Sequence, residues 1–303
     1  MLRLRTELPH TRLKRLIEAN DKILLCGSCF TEHIGAWLQE ARLDVTCNPW
    51  GILFNPASIA QSISRCLSDT PYDIDICQTG DLYYSFDHHG KIVGESAEAL
   101  IQKVHEVEVE ARKAVLEADH LIITLGTAWV YERNGKIVAN CHKAPAKEFT
   151  RRRLSVDEII RMWTPIIADR HVIFTVSPIR HIGDGLHGNQ ISKATLLLAI
   201  ETLQEQYPDQ VEYLPAYELL MDDLRDYRFY ADDLVHPSPL AIEAVKELVA
   251  DAAFSPRLKQ YMTDAAPLLK TLAHRPSDPT APEYLALVQK TIQQLQKLKE
   301  VQR

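Results

Sequence analysis

The sequence has no apolar run approaching the length that spans a bilayer, so it offers no transmembrane helix. Its first twenty residues are basic but lack the apolar core of an export signal, which leads us to expect a cytoplasmic protein. A cationic surplus is missing too. The formal net charge of −7 argues against a nucleic-acid footprint and for solubility. No repeat or low-complexity segment interrupts the 303 residues, and charged residues at 25% with apolar ones at 46% are ordinary globular values. Length alone allows one large domain or two small ones.

Paired cysteine motifs are also scarce. Cys26, Cys29, Cys47, Cys66, Cys77 and Cys141 are scattered along the chain, which reads more simply as a reduced compartment than as a disulfide framework. Only Cys26 and Cys29 form a CxxC, and no second CxxC or CxxH completes a zinc site. A thioredoxin-like redox pair is one reading of that motif. The plainer one places Cys26 in a strand core and Cys29 beneath a helix. His88 and His89, beside Asp87, have no partner at metal-ligand spacing, so neither metal nor cofactor is expected.

What is present centres on residues 22–32, KILLCGSCFTE. Residues 23–26 are an apolar run bounded by polar residues, the pattern of a strand buried on both faces. The chain then turns at Gly27 and presents Ser28 just before a helical pattern over 31–40. A serine at such a junction sits over the positive end of a helix, among N–H groups without intrahelical partners. That setting suits a nucleophile whose reaction creates an oxyanion.

Further apolar runs at 43–47, 82–86, 121–125, 171–176 and 211–214 read as strands, and Asn134-Gly135 predicts a hairpin between 130–133 and 136–139. Helical patterns occupy 57–67, 97–117, 154–167, 191–207, 216–225 and 238–252. Arg151 to Arg153 reads as a solvated helix start. The alternation predicts an α/β fold, a doubly wound, mostly parallel sheet with helices on both faces over 1–252. A helical extension, 253–303, follows, with a Pro-containing break over 274–284. In its last helix Leu285, Val288, Ile292 and Leu295 have the rhythm of a packing seam, against its own domain or, less simply, for self-association.

An activated serine needs a base, and the base an orienting acid. Among twelve histidines His236 stands out, because Asp233 lies three residues earlier in DDLVH and can reach the same imidazole. Alone, a DxxH pair is commonplace. Beside the serine junction it completes a triad in the order Ser28, Asp233, His236.

Several motifs then share a resemblance. GSCF (27–30), NPWGILFNP (48–56), LGTAWVY (125–131), NCHK (140–143), SPIRH (177–181) and RDYRFYADDLVHPSP (225–239) together resemble the GSCFA family, over roughly residues 11–250. That family is grouped with SGNH (GDSL-like) hydrolases, whose fold is a three-layer sandwich. Thr31 stands where the naming motif ends in alanine. The resemblance implies a nucleophile at Ser28, an acid and base at Asp233 and His236, and an oxyanion-hole N–H from Gly51. The third SGNH block is usually GxND, but here it reads GTAW, with Ala128 in place of the asparagine. Asn55, Thr127, Asn140 and the Cys29 N–H are the alternative donors.

His142 lies past the hairpin, where it either meets substrate or supports the loop. Arg180 and His181 follow a buried strand, where they either hold an anionic group or bridge the rim. These readings converge on a serine esterase or acyltransferase. Its partner would be a small-molecule or carbohydrate acyl ester, an O-acetyl ester above all, with neither nucleic acid nor membrane involved. The competing reading is a glycan- or acyl-binding module without turnover.

Overall fold

The computed structural model describes residues 6–70, 72–274, 276, 278 and 280–301. The apolar run near the N-terminus is strand β1 (Lys22–Gly27), which leads through Ser28 into helix α1 (Cys29–Glu40) and strand β2 (Asp44–Cys47). Helix α2 (Pro56–Leu67) is capped by Asn55. An antiparallel insert follows, β3 (Ile76–Thr79), β4 (Leu82–Ser85) and β5 (Val93–Gly94), before helix α3 (Ala97–Glu117) and strand β6 (His120–Leu125). A second antiparallel sheet joins β7 (Trp129–Arg133), β8 (Lys136–Val138) and β9 (Thr150–Arg153). Then come α4 (Val156–Ile167), β10 (Val172–Val176), α5 (Gly185–Gln206), β11 (Val211–Tyr213) and α6 (Ala216–Glu218), which runs on as a π turn to Leu224. Helices α7 (Pro239–Ala253), α8 (Pro256–Ala273) and α9 (Pro282–Val301) close the chain.

The central sheet has the order β2-β1-β6-β10-β11, every pair parallel. Such a sheet is buried on both faces, which is why its strands read as continuous apolar runs. Leu24, Cys26, Leu121, Ile123 and Phe174 point into one core, and Ile23, Leu25, Ile122 and Ile173 into the other. Each large apolar side chain buried this way contributes about 1.5–3 kcal/mol before entropy is counted. Helices α2 to α5 cover the first face, and α1, α7 and α8 the second. The expected α/β architecture with a helical C-terminal extension is what the chain forms. The chain moves from β1 outward to β2, then returns to β6 and moves the other way. The crevice between β1 and β6, at the strands' C-terminal ends, is therefore the switch point where ligands of such sheets bind.

Two local expectations are corrected. Arg151 to Arg153 form strand β9, not a helix start, because the free edge of β7 takes them up in antiparallel pairing. Helix α4 begins only after Ser155, whose capping box with Glu158 supplies the start signal. In α9 the buried stripe runs through Thr291 and Leu295, 2% and 6% exposed, whereas Leu285 and Ile292 remain 49% and 42% exposed. Of the expected seam, Leu295 is buried and Val288 half-buried, while Leu285 and Ile292 are exposed. Helix α8 buries Leu258, Tyr261 and Ala265 in the core shared with α1, and its Tyr261 hydroxyl donates to Ala41 O at 2.8 Å. Residues 1–5 of the basic N-terminus, and Arg275, Ser277 and Pro279 of the break before α9, lie outside the described residues.

Candidate active site

The serine junction is built by steric necessity. Gly27 has φ +156°, and a Cβ there would lie 2.5 Å from Thr124 O and 2.6 Å from Thr31 Oγ1, so only glycine brings β1 this close to β6. Ser28 is the N-cap of α1, yet its side chain does not cap the helix. Its hydroxyl donates to Ser177 Oγ at 3.3 Å, and the residue is 5% exposed. Thr31 N–H returns to Ser28 O at 2.8 Å, while Cys29 and Phe30 open the helix, where N–H groups lack intrahelical acceptors. The positive end of α1 therefore faces the space in front of Ser28.

Asn48 braces this turn from β2. Its Oδ1 accepts the Gly27 N–H at 2.9 Å, and its backbone N–H donates to Leu25 O at 2.8 Å. Its Nδ2 is buried with no hydrogen-bond partner, an uncommon condition for an amide. The Gly51 N–H, by contrast, closes a turn onto Asn48 O at 2.8 Å. Gly51 adopts φ +77°, and a Cβ on it would come within 2.3 Å of His89 Cβ. Its role here is close packing of the loop, and its amide is already engaged.

Asp233 and His236 form a finished pair on the loop before α7. His236 Nδ1–H donates to Asp233 Oδ2 at 2.6 Å, and Asp233 Oδ1 accepts the Val235 and His236 backbone N–H groups, each at 2.9 Å. The His236 backbone bond, then its ring bond, then the Val235 bond hold the Asp233 carboxyl down to about 2. An ionised carboxylate only accepts, so Nδ1 carries a proton and Nε2 is the ring nitrogen left for a reacting hydroxyl. Both side chains are half exposed. Val235 of this loop packs against the same core as Cys29 and Phe30 at the start of α1, and burial pushes the Cys29 thiol up. The Ser28 hydroxyl is bonded to Ser177 and not to His236.

The floor behind Ser177 holds a buried cation. Lys193 Nζ, on α5, donates to Gly126 O and Ser177 O, both at 2.6 Å, and the residue is 1% exposed. It ties together the C-terminal ends of β6 and β10. Burial pushes its pKa down to about 7. His181 lies against Gly126 and packs on Phe54 with ring centroids 5.7 Å apart. Burial first, then the charge of Lys193, lower its pKa to about 4, and Arg151 and His236 add to the effect. Arg180 lies over Tyr230, 4.2 Å from the ring centroid, and 5.4 Å from that of Tyr227.

Of the other expected donors, Asn55 and Thr127 are engaged elsewhere. Asn55 caps α2 through Ser58, with its Oδ1 accepting the Ser58 N–H and its Nδ2 donating to Ser58 Oγ, both at 2.8 Å. Thr127 Oγ1 exchanges a bond with Ser192 Oγ at 2.9 Å and accepts the Trp129 N–H. Asn140 Oδ1 accepts the His142 N–H at 2.9 Å, and His142 Nε2 donates to Ser85 O at 2.7 Å while the ring stacks on Tyr84. Asn140 and His142 thereby tie the segment after β8 to the insert. Cys26 points into one core and Cys29 packs at the other, so the CxxC cysteines do not face each other. Burial raises both thiols. Among the described residues no three His, Cys, Asp or Glu side chains gather in an arrangement that would hold a metal ion, and no helix is long and apolar enough to cross a membrane.

Ser177, Lys193 and Asn48 are site residues that sequence reasoning passed over. Ser177 lies in the SPIRH motif but resembles any residue ending a strand. Lys193 reads as a solvated helix lysine, and only the packing of α5 reveals its burial. Asn48 reads as a turn former before proline.

No curated protein matches the chain. The model of the GSCFA family matches residues 22–248, a span that holds the serine junction, the Asp233 and His236 pair and every strand of the central sheet, and the chain therefore belongs to the GSCFA family.

Proposed function

We propose that this protein is a serine esterase or acyltransferase of SGNH type, acting on an acyl ester and in the first instance on the O-acetyl ester of a carbohydrate. The observation that carries this reading is the buried Ser28 at a helix N-terminus, near a loop on which Asp233 already holds His236 in the Nδ1–H tautomer. Ser28 exchanges its bond to Ser177 for one to His236 Nε2 as substrate enters, a tightening usual on passing from apo to Michaelis complex. The Ser28 oxygen attacks the ester carbonyl as its proton passes to His236. The tetrahedral oxyanion is held by the Cys29 N–H and the unengaged Asn48 Nδ2, which replace the third-block asparagine that Ala128 lacks. Collapse breaks the ester C–O bond, and His236 returns its proton to the leaving alcohol. Water or a second alcohol then attacks the acyl-serine with His236 as base, regenerating Ser28.

A fluorophosphonate probe tests this. The folded wild type is expected to label, and Ser28→Ala and His236→Ala to lose the label. A folded wild type that neither labels nor turns over any acyl ester overturns the reading. The second reading, a glycan- or acyl-binding module, is favoured by the Ser28 bond to Ser177 and by Ala128. It requires ligand binding that persists in Ser28→Ala without turnover in the wild type.

A further inference from the structure

Arg180 is a cation at the site that no carboxylate neutralises. Arg151 is paired with Asp184, and Arg152 with Glu132 and Glu158. Arg180 has no ion pair among the described residues, and its Nε is buried without a hydrogen-bond partner. This disposes of a salt bridge across the rim. The guanidinium is held over the Tyr230 ring at 4.2 Å and hydrogen-bonded to the Tyr230 and Tyr227 side chains, an arrangement that fixes it with neutral partners and leaves its Nε–H unpaired.

Both neighbours of Arg180 belong to the reacting segments. Three residues before it, Ser177 accepts the Ser28 hydroxyl. Tyr230, beneath it, is bridged to Pro237, so Asp233 and His236 lie on the loop that this bridge closes. Lys193, buried behind Ser177, is held by the Gly126 and Ser177 carbonyls, and burial lowers its pKa to about 7, so Arg180 is the lasting positive charge here. Unpaired charge in partly buried surroundings destabilises a fold, and clefts that keep such charge are those where a ligand supplies the opposite sign.

We infer that Arg180 receives a carboxylate or phosphate of the substrate, so that the ester attacked at Ser28 belongs to an acidic molecule, such as an acylated acidic sugar or sugar phosphate. A neutral ester would leave Arg180 uncompensated. A planar guanidinium matches either oxyanion through two parallel hydrogen bonds. This inference rests on the serine-ester reading above for the reaction, but not for the binding.

The test therefore begins without turnover. Full-length Ser28→Ala protein is titrated calorimetrically with inorganic phosphate and with glucuronate. Saturable binding of either is expected, and phosphate alone or glucuronate alone identifies which oxyanion the site takes. Adding Arg180→Gln is expected to weaken it by about 10- to 100-fold, the worth of a charge-assisted hydrogen bond, with Arg180→Lys falling between. Circular dichroism establishes that each variant is folded, and Arg180→Lys carries the test if Arg180→Gln is not. Absence of binding to both anions, or equal binding by the arginine variants, overturns the inference. In the catalytic arm, the ratio of kcat/KM for 4-acetoxybenzoate to that for neutral phenyl acetate is expected to fall by a similar factor in Arg180→Gln, through KM. An unchanged ratio overturns it. A protein that binds the anion through Arg180 but hydrolyses nothing retains the anion site and loses the esterase reading.

Discussion

The two ends of the central sheet are both rich in buried polar groups, and they treat them in opposite ways. At the N-terminal end His120 Nδ1 and His171 Nδ1 meet at 2.8 Å, His120 Nε2 reaches Asp21 at 2.9 Å, and His171 Nε2 reaches Glu212 at 2.9 Å. Glu212 also accepts the Lys14 and Arg15 N–H groups, tying the N-terminal segment to β11. Every member has its partner. At the C-terminal end Asn48 Nδ2, Thr31 Oγ1, Thr175 Oγ1 and Arg180 Nε are buried without one, and Asp233 and His236 are half exposed. A satisfied network rigidifies the scaffold, whereas unmet donors beside a cleft mark where a ligand completes the bonding. The same sheet thus has a structural end and a reactive end.

Substitutions at the two ends should separate activity from stability. The largest effect is expected from Ser28→Ala, which should lower kcat for an aryl acetate by about 10^3- to 10^6-fold. Its thermal midpoint should barely move, since the hydroxyl makes one 3.3 Å bond. Asp233→Asn should follow with a fall of about 10^2- to 10^4-fold, because an amide no longer enforces the Nδ1–H tautomer. At the other end Glu212→Ala should leave the buried His171 ring unmet and remove the acceptor of two backbone N–H groups. A cost of about 3–5 kcal/mol is expected in urea titrations, with kcat of the folded fraction unchanged. Should Glu212→Ala alter kcat as strongly as stability, the division into two ends fails.

Acid should sharpen the contrast. Burial pushes the Asp21 and Glu212 carboxyls up, but their bonds to His120 and His171 outweigh it, and both stay below the ordinary range. Burial pushes His171 below its usual 6.5. For groups with depressed folded values, the contribution is complete above the unfolded pKa and is lost as pH falls through the folded one. Stability is therefore expected to begin falling below about pH 6.5 and to fall further below about pH 4. Glu212→Gln should flatten that second limb in thermal denaturation across pH. Asp233, held at about 2, should remain ionised over this whole range, so it does not itself set the acid limit of activity. The smallest effect belongs to Asn55→Ala. Loss of the α2 cap should cost about 1 kcal/mol, and kcat should not change.

Much of the scaffold could be read before any coordinates. The continuous runs at 23–26, 121–125 and 171–176 are strands because a parallel sheet between two helical layers admits apolar side chains on both faces. Asn134 and Gly135 form the hairpin turn because both must take positive φ, here 51° and 76°. Where a choice depended on what the chain packs against, local pattern fell short. Arg151 to Arg153 looked like a solvated helix start, but β7 offered an open edge. Of the expected α9 seam, Leu295 is buried, but Leu285 and Ile292 are exposed and Thr291 takes the place beside Leu295.

The candidate site divides along the same line. Ser28 after Gly27, and Asp233 three residues before His236, are local arrangements whose geometry follows from a strand-to-helix turn and a single loop, and the sequence by itself determined them. Only tertiary structure decided that Asn48 holds an unmet donor and that Lys193 is buried beneath Ser177. A hydrogen bond or an unpaired charge belongs to two or more segments brought together by the sheet, here across 21 residues from Gly27 to Asn48 and 149 from Ser28 to Ser177. Residue type states what a group can bond to, and the fold alone states what it meets.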